Sequence, residues 1–427
     1  MGKKKEQIIR GPRGMEDMLP EDWQLWRKME TAAREVFELS GYYEIRTPIF
    51  EDTRLFVRSI GETTDIVEKE MYTFMDGKDS SLTLRPEYTA PVMRSYIEYE
   101  LYKTKKFQKF YYIGPLFRKE RPQAGRLRQF HQMGIEAIGA YDALLDAETI
   151  DVAVRLYNRL GLEGYKVKLN SIGCEKCRPG YRKVLRENLD KYKSDLCDLC
   201  NARLDRNVFR VLDCKRESCK EICRKMPPID EYLCEECKSH FGTVKNALTD
   251  IDIEFIVDPH LVRGLDYYTK TVYEITHPSL GARDTICAGG RYDKLISDIG
   301  GPPTGAVGFA AGMEATMLAI QKTISAEAQS DASPPAPMVY IVSIGEETRT
   351  RCFSLLNTLR TSGISADLDY EGRSTKAQMR TANKLNTKYV LVIGPDELAN
   401  DTVKIKDMQT SEEKLVEQSS VVDILIK

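Results

Sequence analysis

Trp23, Trp26, Met29, Ala33, Val36 and Phe37 recur at the spacing of one helix face, with charged residues on the other. That pattern predicts an amphipathic helix over Trp23–Leu39, stopped by Gly41. Tyr42–Phe50 then reads as a strand running into Thr47-Pro48, with Pro48 at an edge or a strand end because it has no N–H to donate. Ser80–Leu84, Lys109–Ile113 and Phe130–Ile138 are further short strand-like runs, the last two separated by a charged, glycine-bearing loop. Strands and helices that follow one another without regular alternation predict an α+β fold on an antiparallel sheet.

The texture changes near residue 169, where cysteines, lysines and acidic residues crowd into helix-like segments until about Phe255. Strand-like chemistry resumes at Tyr267–Ile275 and Val307–Ala311. The pattern predicts a first domain interrupted by an insertion: residues 1–168 and 256–322 form one body, and 169–255 form the insert. Ser333-Pro334-Pro335-Ala336-Pro337 marks 323–337 as a linker, since this composition holds neither a helix nor a core. Beyond it, Val339–Ile344 and Tyr389–Ile393 read as strands, and Thr348–Thr361 and Ser374–Leu385 as helices. Residues 338–427 are thus expected to form a separate α/β domain with a partly parallel sheet.

A length of 427 residues agrees with about three domains at roughly 150 residues each. Lys plus Arg (63) and Asp plus Glu (65) nearly cancel, which argues against a nucleic-acid coating protein but permits local basic patches. No run of about 18 apolar residues exists, so no membrane span is expected. The first residues lack the apolar core of a secretory signal, and a cytoplasmic protein is the expectation.

Nine of the eleven cysteines lie between Cys174 and Cys237. Cys174-x2-Cys177-x19-Cys197-x2-Cys200 has the spacing of a tetrahedral zinc ribbon. A second set follows as Cys214, Cys219, Cys223, Cys234 and Cys237, with His240 nearby. Structural zinc is the expectation, ahead of reduced, metal-free thiols and well ahead of a catalytic thiol; disulfides would need an oxidising compartment. There is no G-x-x-x-x-G-K-[ST] loop, no G-x-G-x-x-G opening a helix and no H-E-x-x-H. With four histidines in the chain, phosphate chemistry would have to rest on arginine.

The basic stretch Phe117–Gln132 carries Arg118, Lys119, Arg121, Arg126 and Arg128 around a Pro and a Gly, between two strands. Guanidinium forks fit phosphate oxygens and stay charged. A solvated hairpin is the plain alternative, but Phe117 and Phe130 are placed to anchor the strands, and Gln132 and Glu136 fall on one face of the exit strand.

Arg118–Glu136 resembles motif 2 of the class II aminoacyl-tRNA synthetases, in the form typical of the histidyl-tRNA synthetase family. Leu261–Thr269 resembles the first histidine-specific signature of that family, Cys287–Asp293 the second, and Leu84–Ala90 the segment that grips the amino group of histidine. The resemblance runs from about Arg10 to the end of the chain. It implies ATP-dependent activation of L-histidine to histidyl-adenylate and transfer to the 3′ end of histidine tRNA. Arg118 and Arg263 would flank the α-phosphate as the catalytic cations. Glu120, Arg126 and Gly312 would join them around ATP with its Mg2+. Glu87, Thr89, Gln132, Glu136, Tyr267, Tyr268, Gly289, Gly290 and Gly308 would form the histidine pocket. Gln123 and Arg126 would meet the tRNA acceptor end, and residues 338–427 the anticodon.

Individual residues also admit structural roles: Glu87 as a helix cap, Tyr267 and Tyr268 as strand core, Arg85 and Arg291 as ion-pair partners. The segment around Thr47-Pro48 resembles motif 1 and implies a homodimer. Zinc at Cys174, Cys177, Cys197, Cys200, Cys214, Cys219, Cys234 and Cys237 would be a folding device for the insert. Two positions depart from the family pattern: Ala315 follows Glu314 where an arginine is usual, and Tyr88 stands in place of a glycine. The first implies weakened ATP binding. The alternative reading is a non-catalytic paralogue serving as a regulatory subunit in histidine biosynthesis; such proteins typically lose the Arg263 signature and the tail domain.

Overall fold

The computed structural model describes residues 8–61, 64–281, 284–323 and 336–426. The chain forms two compact units, Met1–Asp331 and Ala332–Lys427. In the first unit the strands are β1 (Tyr43–Glu44), β2 (Phe50–Asp52), β3 (Tyr72–Met75), β4 (Ser81–Leu84), β5 (Gln108–Phe117), β6 (Gln129–Ile138), β7 (Lys166–Ser171), β8 (Phe255–Val257), β9 (Thr269–Thr276), β10 (Thr285–Arg291) and β11 (Ala306–Gly312). Eight of them make one sheet in the order β1-β5-β6-β11-β10-β9-β7-β8, and β2-β4-β3 make a second. The large sheet is antiparallel throughout its middle; only the edge pairs β1/β5 and β7/β8 are parallel. One face is covered by the helices Pro20–Leu39 and Ala143–Arg159, with Trp26, Met29, Phe37, Ile150 and Leu156 in the same core as Ile135, Tyr273 and Phe309.

Tyr42–Phe50, expected as one strand, is broken: β1 pairs with β5, while β2 pairs with β4 in the other sheet. Pro48 lacks a ladder donor. The buried Arg85 guanidinium also binds the Thr47 carbonyl at 2.7 Å and the Pro48 carbonyl at 3.3 Å, taking acceptors that a continuous strand would need. The helix at Trp23–Leu39 and the strands at Ser80–Leu84, Lys109–Ile113, Phe130–Ile138 and Val307–Ala311 form where the pattern places them, with shifted ends.

The cysteine-rich segment leaves the sheet after β7 and returns at β8. Its helices Arg178–Asp190, Asp198–Arg206 and Glu217–Cys223 bury Tyr181, Leu185, Leu204 and Ile222 in a second core that also takes in Tyr112, Tyr267 and Tyr292 of the main body. The last helix, Glu235–Asp250, packs Phe241, Val244 and Leu248 into the core of the large sheet.

The second unit holds β12 (Val339–Ser343), β13 (Ala366–Leu368), β14 (Tyr389–Ile393), β15 (Thr402–Asp407) and β16 (Glu413–Glu417), in the order β13-β12-β14-β15-β16. β12 is parallel to β13 and β14, and β15 and β16 run antiparallel, so the sheet is partly parallel. Most of the linker proposed at 323–337 lies outside the described residues.

Candidate active site

β5 and β6 are joined by the basic hairpin 118–128. The Arg118 N–H donates to the Arg128 carbonyl (2.9 Å) at its base, and Gln123 and Arg126 exchange backbone hydrogen bonds of 3.1 and 2.9 Å at its tip. The hairpin overhangs a cleft of about 1180 Å3 lined by Arg118, Glu120, Gln123, Arg126, Gly312 and Ala315. Beside the cleft is a chamber of about 160 Å3 lined by Glu87, Thr89, Gln132, Tyr267, Tyr268 and Gly308. Arg118, Gln132 and Arg263 line both spaces and so mark their junction.

Arg118 is fixed by a 2.8 Å hydrogen bond from its Nε to the Pro86 carbonyl, leaving the far end of the guanidinium toward the junction. Arg263 sits in the loop before β9 and pairs with Glu274 on that strand. Burial works against its charge, and Glu274 more than offsets this, so the guanidinium stays cationic. Its Nε is buried without a hydrogen-bond partner. Glu120 is buried under the hairpin and pairs with Arg126.

In the chamber wall, Glu87 accepts hydrogen bonds from the Thr89 and Ala90 N–H groups at 2.7 and 2.8 Å. It therefore does cap the helix Thr89–Glu98, the structural role open to it from sequence. A carboxylate has about four acceptor sites, so two backbone bonds leave capacity for a ligand. Burial raises its pKa, opposed by those two N–H groups and by Arg118. Tyr267 and Tyr268 lie in the loop before β9, not in the strand, with ring centroids 4.7 Å apart.

Three residues assigned from sequence to the histidine pocket stand behind its wall instead of in it. Glu136 accepts from the Thr89 hydroxyl at 2.7 Å and from the Tyr292 hydroxyl, and its pKa is pushed well up by burial and by the neighbouring Glu87. Gly289 and Gly290 lie on β10 and do not line the chamber. Gly308 pairs directly with Glu136 across β11 and β6. A Cβ there would overlap the Glu136 carboxylate and the Ile135 carbonyl, which explains the glycine.

Tyr292 was missed from sequence; its hydroxyl holds Glu136, and its ring packs edge-on against Tyr267 at 5.5 Å. Its signal was its position inside the second signature peptide. Tyr88, in place of the family glycine, stacks on Tyr112 at 4.1 Å beneath the Arg85 guanidinium. Arg291 is wholly buried and pairs with Asp146 at 2.5 Å and Asp293 at 2.9 Å, a structural role.

Glu314 is tied down by the His131 N–H at 2.9 Å and its ring Nδ1 at 3.0 Å. Next to it, Ala315 faces the cleft under the hairpin tip: a Cβ on Gly125 would lie 3.7 Å from the Ala315 Cα. Arg121, on the same hairpin, is exposed and not part of the cleft wall, so it does not fill that space.

The cysteines group differently from their order in sequence. Cys174 and Cys177 converge with Cys234 and Cys237, and Cys197 and Cys200 with Cys214 and Cys219. Cys174–Cys200 is therefore not one ribbon. Cys223 belongs to neither group; its thiol donates to the Val211 carbonyl. His240 binds Asp146 at 2.7 Å, away from the thiols.

An antiparallel sheet carrying a basic strand-connecting hairpin over two joined chambers is the catalytic layout of a class II aminoacyl-tRNA synthetase. The sequence model of the histidyl-tRNA synthetase family matches residues 14–316, and that of the anticodon binding domain residues 338–427. A histidine–tRNA ligase of Clostridioides difficile (strain 630) is 46% identical over 419 residues, covering 98% of this chain and 99% of the relative. The apo histidyl-tRNA synthetase of S. aureus superposes with a TM-score of 0.80 at 37% identity, over 98% of this chain and 100% of that one. An ATP phosphoribosyltransferase regulatory subunit/histidyl-tRNA synthetase from Bacillus halodurans C shares the fold at 24% identity, with a TM-score of 0.63 over 91% of this chain and 99% of that one. The chain belongs to the histidyl-tRNA synthetase family.

Proposed function

We propose that the chain activates L-histidine with ATP and transfers it to the 3′ end of histidine tRNA. The observation that carries this is the junction: a chamber sized for one small polar side chain opens into a nucleotide-sized cleft where Arg118, Gln132 and Arg263 meet. Histidine enters the chamber with its ammonium toward Glu87 and its imidazole against Tyr267 and Tyr268. Glu136 acts from behind the wall by orienting the Thr89 and Tyr292 hydroxyls. The carboxylate of histidine then points at the junction and attacks the α-phosphorus of ATP. The α-phosphate–pyrophosphate bond breaks, and Arg118 and Arg263 balance the charge that builds on the phosphoryl oxygens. Pyrophosphate leaves through the wider cleft. A ribose hydroxyl of the tRNA end, held under the hairpin by Gln123 and Arg126, attacks the adenylate carbonyl and releases AMP. ATP would carry Mg2+ as part of the substrate, and Glu120 and Asp213, now paired with Arg126 and Lys215, are cleft-wall carboxylates that would hold it, where the ion would neutralise phosphate charge.

Residues 338–427 bind the anticodon. The homodimer reading is supported by exposed Tyr43, Ile49, Phe50, Phe74 and Met75 around β1 and the small sheet, an apolar patch of the kind a partner subunit covers. No helix among the described residues is long and apolar enough to cross a membrane; charging of tRNA is work done in the cytoplasm, and that is the site of action proposed. The regulatory-subunit alternative is weaker: the Arg263 loop and the tail unit are both present, and likeness at 24% identity speaks for the fold alone. Histidine-dependent exchange of pyrophosphate into ATP, followed by charging of histidine tRNA, is the test. Absence of both in purified full-length protein would reject the proposal.

A further inference from the structure

We infer that the cysteine-rich segment holds two zinc ions in nested tetrathiolate sites, an outer one of Cys174, Cys177, Cys234 and Cys237 and an inner one of Cys197, Cys200, Cys214 and Cys219. Within each group the four sulfurs lie within 4.8 Å of one another. The Cys174–Cys177, Cys174–Cys234 and Cys197–Cys214 sulfurs are 3.7, 3.9 and 3.9 Å apart. A Zn–S bond of about 2.3 Å gives a tetrahedron edge of about 3.8 Å. A disulfide requires about 2.05 Å. A multi-iron cluster needs its thiolates spread around several metal atoms, so a single ion is what these sulfurs fit. Backbone N–H groups also point at sulfur: Cys234 N to Cys177 Sγ at 3.1 Å and Cys197 N to Cys219 Sγ at 3.4 Å. Such donors stabilise a metal-bound thiolate.

The nesting has a structural consequence. The outer site clasps the chain where it leaves β7 and where it re-enters the main core as the helix Glu235–Asp250. The inner site closes a loop containing Asn207 and Arg210. Asn207 donates to Asp266 at 2.9 Å; Arg210 binds Asp65 at 3.1 Å and also the Gly264 carbonyl. These contacts brace the loop that carries Arg263, Tyr267 and Tyr268. The inner ion is thus a brace for the chamber wall, and it would do this whatever amino acid the chamber takes.

Metal analysis of full-length protein purified without chelator should give about two zinc ions per chain, the number of tetrahedral sites. C174S/C177S and C214S/C219S should each retain about one, and the paired variants together none. In the unmodified protein, organomercurial titration with a chromogenic chelator should release the same zinc without requiring any variant to fold. Cobalt-substituted protein should show the absorption of tetrahedral tetrathiolate Co2+. Hydrogen exchange across residues 261–268 should rise in C214S/C219S more than in C174S/C177S. Protein without zinc under reducing conditions, iron in its place, or a total of one ion per chain that both variants lose would overturn the sites. Unchanged exchange at 261–268 would overturn the brace.

Discussion

Arg263→Ala tests the junction most directly. Removing a cation that acts mainly on the transition state costs about 2.7–4 kcal/mol, or roughly 10²–10³-fold in rate. The structure adds a second effect. Without Arg263, the mostly buried Glu274 carboxylate keeps, among the described residues, the Thr285 hydroxyl at 3.2 Å. A buried polar group left short of its partner costs about 1–3 kcal/mol, more when it is charged, and a bare carboxylate beside the α-phosphate repels it. Adenylate formation should therefore fall by roughly 10³–10⁴-fold, while histidine affinity, set in the chamber, changes little. Arg263→Ala combined with Glu274→Gln removes the stranded charge and should regain about tenfold. The assays are histidine-dependent pyrophosphate exchange and equilibrium binding of histidine. Near-normal exchange in the single variant would refute the role of Arg263, and a double variant no faster than the single would refute the role of Glu274.

Gly308→Ala should raise the histidine KM by roughly 5- to 150-fold, the equivalent of about 1–3 kcal/mol of overpacking against Glu136 and Ile135; an unchanged KM would mean the two strands separate freely. Arg126→Ala or Gln123→Ala should slow tRNA charging more than adenylate formation, since hairpin cations suit phosphates better than base edges; equal losses would assign the residue to ATP. Glu136→Gln should flatten stability against pH. Burial raises this carboxyl, so the folded chain keeps a proton that the unfolded chain has lost; the resulting stability is full below the ordinary glutamate pKa and lost as pH rises through the raised one. Thermal melts of the variant and the unmodified chain that run parallel across pH would contradict this. Ala315→Arg should lower the KM for ATP by about 2- to 30-fold, at 0.5–2 kcal/mol for a stacked cation, and slow the transfer step by displacing the hairpin tip at Gly125; an unchanged or higher KM would refute it.

What could be read in the sequence was what periodicity and local peptide chemistry encode. Strand-like runs located β6 and β11, and the arginine-rich stretch between β5 and β6 announced a basic loop joining two strands. What escaped depends on contacts between distant residues. Tyr42–Phe50 is a strand by composition, but Arg85, some forty residues on, takes its carbonyls. Glu136 falls on the predicted face of β6, yet Gly308 opposite has no side chain, so the carboxylate settles among hydroxyls behind the chamber. The cysteines were paired by proximity along the chain, whereas the helix Glu235–Asp250 brings Cys234 and Cys237 back beside Cys174 and Cys177. Local spacing picked out the cysteines; the return path of the chain decides which of them converge.

The alanine at position 315 removes two different things, and the fold replaces only one. The first is positive charge. Lys168, Lys215, Lys220, Arg224 and Lys322 all line the same cleft as Arg118 and Arg126, so the triphosphate still meets cations from several directions. Most of these are held by carboxylates, such as Lys215 by Asp213 at 2.6 Å and Arg224 by Glu217 at 2.8 Å. Lys322 donates instead to the neutral Ser279 carbonyl at 3.0 Å. It lies seven residues after Ala315 on one helix, hence on the same face and about 10 Å along it. The second loss is a planar guanidinium able to stack on a base, and an ammonium has no such plane. The deficit in ATP binding should therefore fall on adenine recognition and not on the phosphates. Nucleotides differing only in the base should be discriminated poorly by the unmodified chain, and Ala315→Arg should sharpen that discrimination more than it changes the affinity for pyrophosphate.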